Sequence, residues 1–194
     1  MKKSFWSIDY TPVTLITIPA SVAVNYIGKF IAGLFGLPLW LDSVGTIAAG
    51  LIIGPLGAVI TGVIDNIIYG LTIDPFSYAY AITSVAIGIT VGVLVRLNLI
   101  QGIWRSVIAG IAIAGVASVV SMPINVYFWG GLGGNSMGDA IFVKLAESGF
   151  HVWLASLIAG LAIDIPDKIL SVLLAVGILN LAGKNAFAAI FPGK

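Results

Sequence analysis

The chain of 194 residues has no cysteine, so it holds no disulfide, no thiol nucleophile and no Cys-ligated metal. Charge is nearly as scarce. Asp, Glu, Lys and Arg make up 9% of the residues, against about 25% in soluble domains, and this excludes a water-soluble globular protein. Nine Lys and Arg against eight Asp and Glu leave a net charge of +1. That is too little for the phosphate contacts nucleic acid requires, so no nucleic-acid partner is expected. A single histidine, with no HExxH and no GxSxG, gives an enzyme little to work with, and no metal site is expected. The phosphate loop GxxxxGK[ST] is missing too, since neither Gly28-Lys29 nor Gly183-Lys184 stands in that context. Any ATP used on this chain's behalf is hydrolysed by another subunit.

What is present is apolar: 59% hydrophobic residues and a mean hydropathy of +1.11. Uncharged runs at 10–28, 43–64, 75–95 and 106–138 each suit the ~20 residues that cross a ~30 Å hydrocarbon core. An all-α integral membrane protein with a single domain over 1–194 is expected. Met1-Lys2-Lys3 ahead of an apolar run, with Ser21-Val22-Ala23 beyond, imitates a signal peptide. The run continues to Leu37, however, and about 25 residues is too long for a signal core and right for a first span.

The first helix is predicted over 12–35, ended by Gly36 and Pro38. The next apolar run, 41–70, would be about 45 Å long as one helix. Gly54-Pro55 interrupts it near its middle, which gives two short helices, 42–53 and 55–69. Helices over 76–97 and 105–127 follow. A last helix is predicted over 165–181, with Pro166 in its first turn. The segment 128–164 begins with the Gly-rich Trp129–Asn135 stretch and then turns helical, placing Lys144, Glu147 and His151 on one face. It lies at the interface, re-enters or crosses. If it does not cross, and Gly54-Pro55 separates two passes, Lys2, Lys3, Arg96, Arg105, Lys184 and Lys194 share one side. Asp42, Asp74, Asp139, Asp164 and Asp167 then gather on the other. Because Lys and Arg favour the cytoplasm, this parity predicts six transmembrane helices, cytoplasmic termini and a long, partly helical outer loop before the last helix.

That outer side is rich in aromatic and hydrogen-bonding groups, as a ligand pocket requires. Trp40, Asp42, Asp74, Phe76, Tyr78 and Tyr80 belong to the first and third connections. Asn125, Tyr127, Trp129, Asn135, Asp139, His151, Trp153 and Lys168 belong to the fifth and its flanks. Each aromatic reads equally well as an interfacial anchor. Ionisable residues at membrane depth default to functional roles; here Asn66 suits a pocket, while Asp65 suits an ion pair with Lys29. Lys168 pairs alternatively with Asp164, and Lys144, Glu147 and His151 alternatively form a solvated face. Ala20, Val24, Gly28 and Ala32 form a stripe that admits close helix approach, and Gly88 with Gly92 forms a second, internal one.

Pro38-Leu39-Trp40-Leu41-Asp42-Ser43-Val44-Gly45-Thr46-Ile47, Gly54-Pro55-Leu56-Gly57, Asn66 and Asp164-Ile165-Pro166-Asp167-Lys168-Ile169 together resemble the substrate-binding S component of energy-coupling factor vitamin transporters. The resemblance implies a six-helix protein of the bacterial cell membrane with a vitamin pocket at its outer face and no catalytic role or cofactor. It implies a transmembrane coupling subunit and two cytoplasmic ATPase subunits as partners, besides membrane lipid. It also implies that the stripe at Ala20, Val24, Gly28 and Ala32 packs on the coupling subunit. Asn125-Val126-Tyr127-Phe128 is similar to a stretch of riboflavin-type members, which nominates Asn125 and Lys168 as ligand contacts and Asp74 more loosely. Pro166-Asp167-Lys168 departs from those members by lacking their Phe-Asn pair. Leu-Asp-Ser-Val-Gly-Thr and Asp-Ile-Pro-Asp-Lys look most like a cobalamin-type member, and the Gly-rich loop suits a large ligand. Pyridoxine, hydroxymethylpyrimidine and riboflavin stay open, as does a stand-alone solute transporter. The expected substrate contacts are Trp40, Asp42, Asn66, Asp74, Tyr78, Asn125, Tyr127, Trp129, His151 and Lys168.

Overall fold

In the computed structural model, residues 11–181 are described. They form seven α-helices and one 3₁₀ turn, with no strand among them. The helices are α1 (Pro12–Leu34), α2 (Val44–Ile53), α3 (Pro55–Thr72), α4 (Ala81–Arg96), α5 (Gly102–Trp129), α6 (Ser136–Glu147) and α7 (Val152–Leu181), and the 3₁₀ turn is Pro75–Tyr78. Three of them, α1, α3 and α5, are long and apolar enough to cross a membrane. The 30-residue α7 has the length but carries Asp164, Asp167 and Lys168 at its middle. α2 and α4 are shorter apolar helices; the 10 residues of α2 reach only about 15 Å.

The break at Gly54-Pro55 forms as the sequence predicts. Gly54 has φ +90°, a conformation that side chains rarely adopt, and Pro55 opens α3 where its missing N–H costs nothing. Neighbouring helices run antiparallel. Gly50 packs on Ala58 and Gly62 on Thr46 between α2 and α3; Gly110 packs on Ile169 and Gly160 faces Ser118 between α5 and α7.

Two expectations are corrected at the end of the chain. The last helix does not begin at Pro166 but at Val152, and it runs through the proline. Packing of α5 along its length supports the helix across the missing N–H, as neighbouring helices do in membrane proteins. The outer loop is accordingly shorter than predicted. Lys144, Glu147 and His151 do not share a helix face either: α6 ends at Glu147, Gly149 reverses the chain at φ +86°, and the His151 carbonyl accepts the first bond of α7 from the Ala155 amide at 2.9 Å.

α2 is the centre of the bundle. Every residue from Val44 to Gly50 is buried, and Val44, Ile47 and Ala48 pack with Ile87 and Val91 of α4, Ala109 and Ile113 of α5 and Val172 of α7. A helix apolar all round belongs in such a position. Its first turn lacks a side-chain cap of its own, since Ser43 makes no capping bond. Asn25 of α1 supplies the cap instead: its Oδ1 accepts from the Gly45 and Thr46 amides at 2.7 and 3.3 Å, and its Nδ2 donates to Thr46 Oγ1 at 2.8 Å. Asn25 is fully buried, so no water replaces it. Asn25→Ala is expected to lower stability by about 1–3 kcal/mol through the unsatisfied α2 amides, read as a lower thermal midpoint in detergent. An unchanged midpoint would show that α2 does not depend on this cap.

Candidate functional site

Residues 35–43 link α1 to α2; the link is exposed at Phe35, Gly36 and Pro38 and enters the bundle over residues 40–43, where Ser43 is buried. The link is fixed to the middle of α7, where Asp167 Oδ1 accepts from the Trp40 and Leu41 amides at 3.0 and 2.8 Å. The other Asp167 oxygen accepts from Lys168 Nζ at 2.6 Å, and Lys168 also reaches Asp42 at 2.6 Å. Lys168 and Asp167 are almost wholly buried, and Asp42 is partly exposed. Lys168 therefore pairs with Asp42 and Asp167 and not with Asp164, the partner its spacing suggested. Asp164 instead accepts a 2.6 Å hydrogen bond from Ser118 of α5.

Above this knot lies a cavity of about 390 Å³, within the 300–1,000 Å³ range of small-molecule sites. α1, α3, α4, α5 and α7 wall it, with the link 35–43, the 3₁₀ turn and residues 131–139. The Gly-rich stretch and α6 close over it as a built element. Asp139 accepts from the Gly133 and Gly134 amides at 2.8 and 3.2 Å. Asn135 caps α6 through the Met137 and Gly138 amides and donates to the Leu37 carbonyl at 3.1 Å, joining this cover to the 35–43 link. Phe142 of α6 packs with Ala155 and Ala159 of α7 beneath it.

Of the ten expected ligand contacts, Trp40, Asp42, Asn66, Asp74, Asn125 and Lys168 line this cavity. Four do not. Trp129 stands behind the wall, its ring stacked on Tyr80 at 5.7 Å and edge-on to Phe76 at 5.0 Å. Tyr78 packs on Gly70 of α3. Tyr127 is exposed against Trp153, and His151 is exposed at the start of α7. Besides Trp40, the aromatics Tyr69 and Tyr80 line the cavity, and Tyr80 is held by a 2.7 Å hydrogen bond from its hydroxyl to Asn125 Oδ1.

The α1 stripe divides. Ala20 and Val24 are exposed, as a contact with another subunit requires. Gly28 faces inward, and a Cβ there would strike the Leu41 carbonyl; Ala32 is buried and lines the cavity. Those two serve this chain's own packing, which corrects that half of the expectation. Lys29 pairs with Asp65 at 2.7 Å as the sequence suggested, and it also donates to Asn66 Oδ1 at 3.1 Å and Ser77 Oγ at 3.5 Å. Asn66 is thereby saturated, since its amide group also donates to Gly62 O and Ser84 Oγ.

Sequence reasoning missed Thr83 and Ser156. Both line the cavity, both are buried, and neither hydroxyl has a hydrogen-bond partner. Single hydroxyls within apolar runs carry no sequence signal, because most bond their own helix; Thr90 and Ser121 here do so. Among the described residues no group of three His, Asp or Glu is placed to hold a metal ion. Compared with known protein families, curated proteins and solved structures, the chain matches none.

The knot makes a graded prediction. Lys168→Met leaves Asp167 buried without its cation, and about 3–5 kcal/mol of stability is expected to be lost. Asp42→Asn, at a partly exposed site, is expected to lose about 1 kcal/mol or less. Thermal unfolding of the two variants in the same detergent checks the order, and equal losses would contradict it.

Proposed function

We propose that this chain is the substrate-binding component of an ATP-driven vitamin importer of the energy-coupling factor type. In this reading α1 to α5 and α7 are six spans, both termini are cytoplasmic, and α6 lies over the outer mouth of the cavity. The observation that carries the reading is the cavity itself: enclosed by helices, walled by Trp40 and Tyr80, and lined by the polar side chains of Asn125, Asp164, Thr83 and Ser156. Groups of that kind supply orientation to a bound molecule. Antiparallel neighbours put the connections 35–43, 73–80 and 130–151 at one end and Arg96 and Arg105 at the other, and this distribution supports an outward-facing cavity. Lys2, Lys3, Lys184 and Lys194, which extend the argument, lie outside the described residues.

Size bears on the vitamin. A volume of about 390 Å³ suits a heterocycle of one or two rings. A corrinoid, with its macrocycle and appended nucleotide, is several times larger. The cobalamin-like signatures have another reading: Asp42, Asp167 and Lys168 hold the 35–43 link in place, and Gly45 and Thr46 open α2, duties independent of which vitamin is bound. Pyridoxine or a hydroxymethylpyrimidine fits the cavity better. The chain captures the ligand, and a transmembrane coupling subunit with two ATPase subunits supplies the energy; Ala20 and Val24 offer that subunit an exposed small-residue surface. No catalytic step is assigned to this chain.

Calorimetric titration of the full-length protein in detergent against pyridoxine, hydroxymethylpyrimidine, riboflavin and cobalamin tests the proposal. Saturable one-to-one binding of a small heterocycle without turnover is expected, with none by cobalamin, and Trp40→Ala, at a half-buried position on the cavity wall, is expected to weaken it at least about tenfold. Uptake into liposomes by this chain alone would contradict the reading.

A further inference from the structure

The charges around the cavity do not cancel, and the excess identifies the chemistry of what binds. All six aspartates among the described residues either line the cavity or pair with a lysine that does, and they face only Lys29 and Lys168. Both lysines are already engaged. Lys29 spends its three donors on Asp65, Asn66 and Ser77 and lies over the Tyr69 ring, 5.0 Å from its centroid. Lys168 is shared between Asp42 and Asp167. At the rim, Asp74 and Asp139 bond backbone amides, which leaves their charge in place.

Asp164 is left over. It is 6% exposed, lines the cavity, and makes no ion pair within 4 Å. One of its oxygens accepts from Ser118 and the other has no hydrogen bond. A carboxylate at this depth is costly without a cation or a donor to complete it. Thr83 of α4 and Ser156 of α7 line the same cavity, and their unpartnered hydroxyls are buried within its wall. Tyr80 and Trp40 add aromatic faces, which attract cations.

Resting on the substrate-binding reading above, we infer that the ligand carries a positively charged nitrogen, and that Asp164 receives it. The class is a cationic or amine-bearing heterocycle of one or two rings, with the ammonium or ring N–H on the free Asp164 oxygen and the ring against Tyr80 and Trp40. An anionic vitamin would enter a field that is already negative, with neither lysine free of a carboxylate to meet it.

Two probe pairs of matched size test this at pH 7 on the full-length protein: pyridoxamine against pyridoxine, and 4-(aminomethyl)pyridine against 4-(hydroxymethyl)pyridine. The charged member of at least one pair is expected to bind about ten- to a hundredfold tighter, the range of a charge-assisted hydrogen bond. Asp164→Asn is expected to erase that advantage without weakening the neutral member. Equal or weaker binding of the charged members, an advantage that survives Asp164→Asn, or binding of a neutral vitamin alone would overturn the charge assignment and leave the cavity as a site for neutral heterocycles. Binding of no probe and no vitamin would overturn the substrate-binding reading as well. Should Asp164→Asn not fold, the wild-type preference decides, and Ser118→Ala, which keeps the carboxylate and removes its one hydrogen bond, is expected to preserve it.

Discussion

Lys168 holds the structure to its plan. One ammonium group, buried in the middle of α7, bridges Asp167 beside it and Asp42 at the end of the 35–43 link. Asp167, fixed by that bridge, turns its second oxygen to two backbone amides of the link. The chain is thereby drawn into the bundle between α1 and α7, and α2 begins there with its first turn already enclosed. Because α2 starts inside, ten residues suffice for it, and the space above its start is left between the longer helices as the cavity.

In lipid, helix and hydrocarbon are equally apolar, so helix association relies on close van der Waals packing together with interhelical hydrogen bonds, and polar pins fix which arrangement forms. The three pins here have that character: Asn25 to the start of α2, Lys29 to Asp65 and Asn66, and Lys168 to Asp42 and Asp167. Each crosses between elements far apart in sequence. Together they hold α1, the 35–43 link, α3 and α7 in one arrangement around the cavity, and the ligand reading depends on that arrangement.

Much of this is legible in the sequence, and the limits have physical reasons. The membrane class follows from missing charge, and the Gly54-Pro55 break from backbone chemistry that acts locally. The Lys29–Asp65 pair is readable because two charges at membrane depth need each other. Pro166 misleads, because a proline starts a helix in isolation but is carried within one when α5 packs alongside. Lys168 misleads in the same way: spacing along one helix points to Asp164, whereas the link entering the bundle brings Asp42 within 2.6 Å. Aromatic content locates the right end of the molecule but does not separate Tyr80, which faces the cavity, from Trp129, which supports it from behind. Thr83 and Ser156 become visible only when the fold shows that their hydroxyls have no partner.

The central claim is that Asp167 draws the Trp40–Leu41 end of the link into the bundle and so shapes the cavity beside it. Hydrogen exchange at the Trp40 and Leu41 amides tests this most directly. The account predicts protection comparable to that of the flanking helices in the wild type, lost at these two amides in Asp167→Ala while α5 stays protected. Exchange in the wild type at the rate of an open surface loop would contradict it.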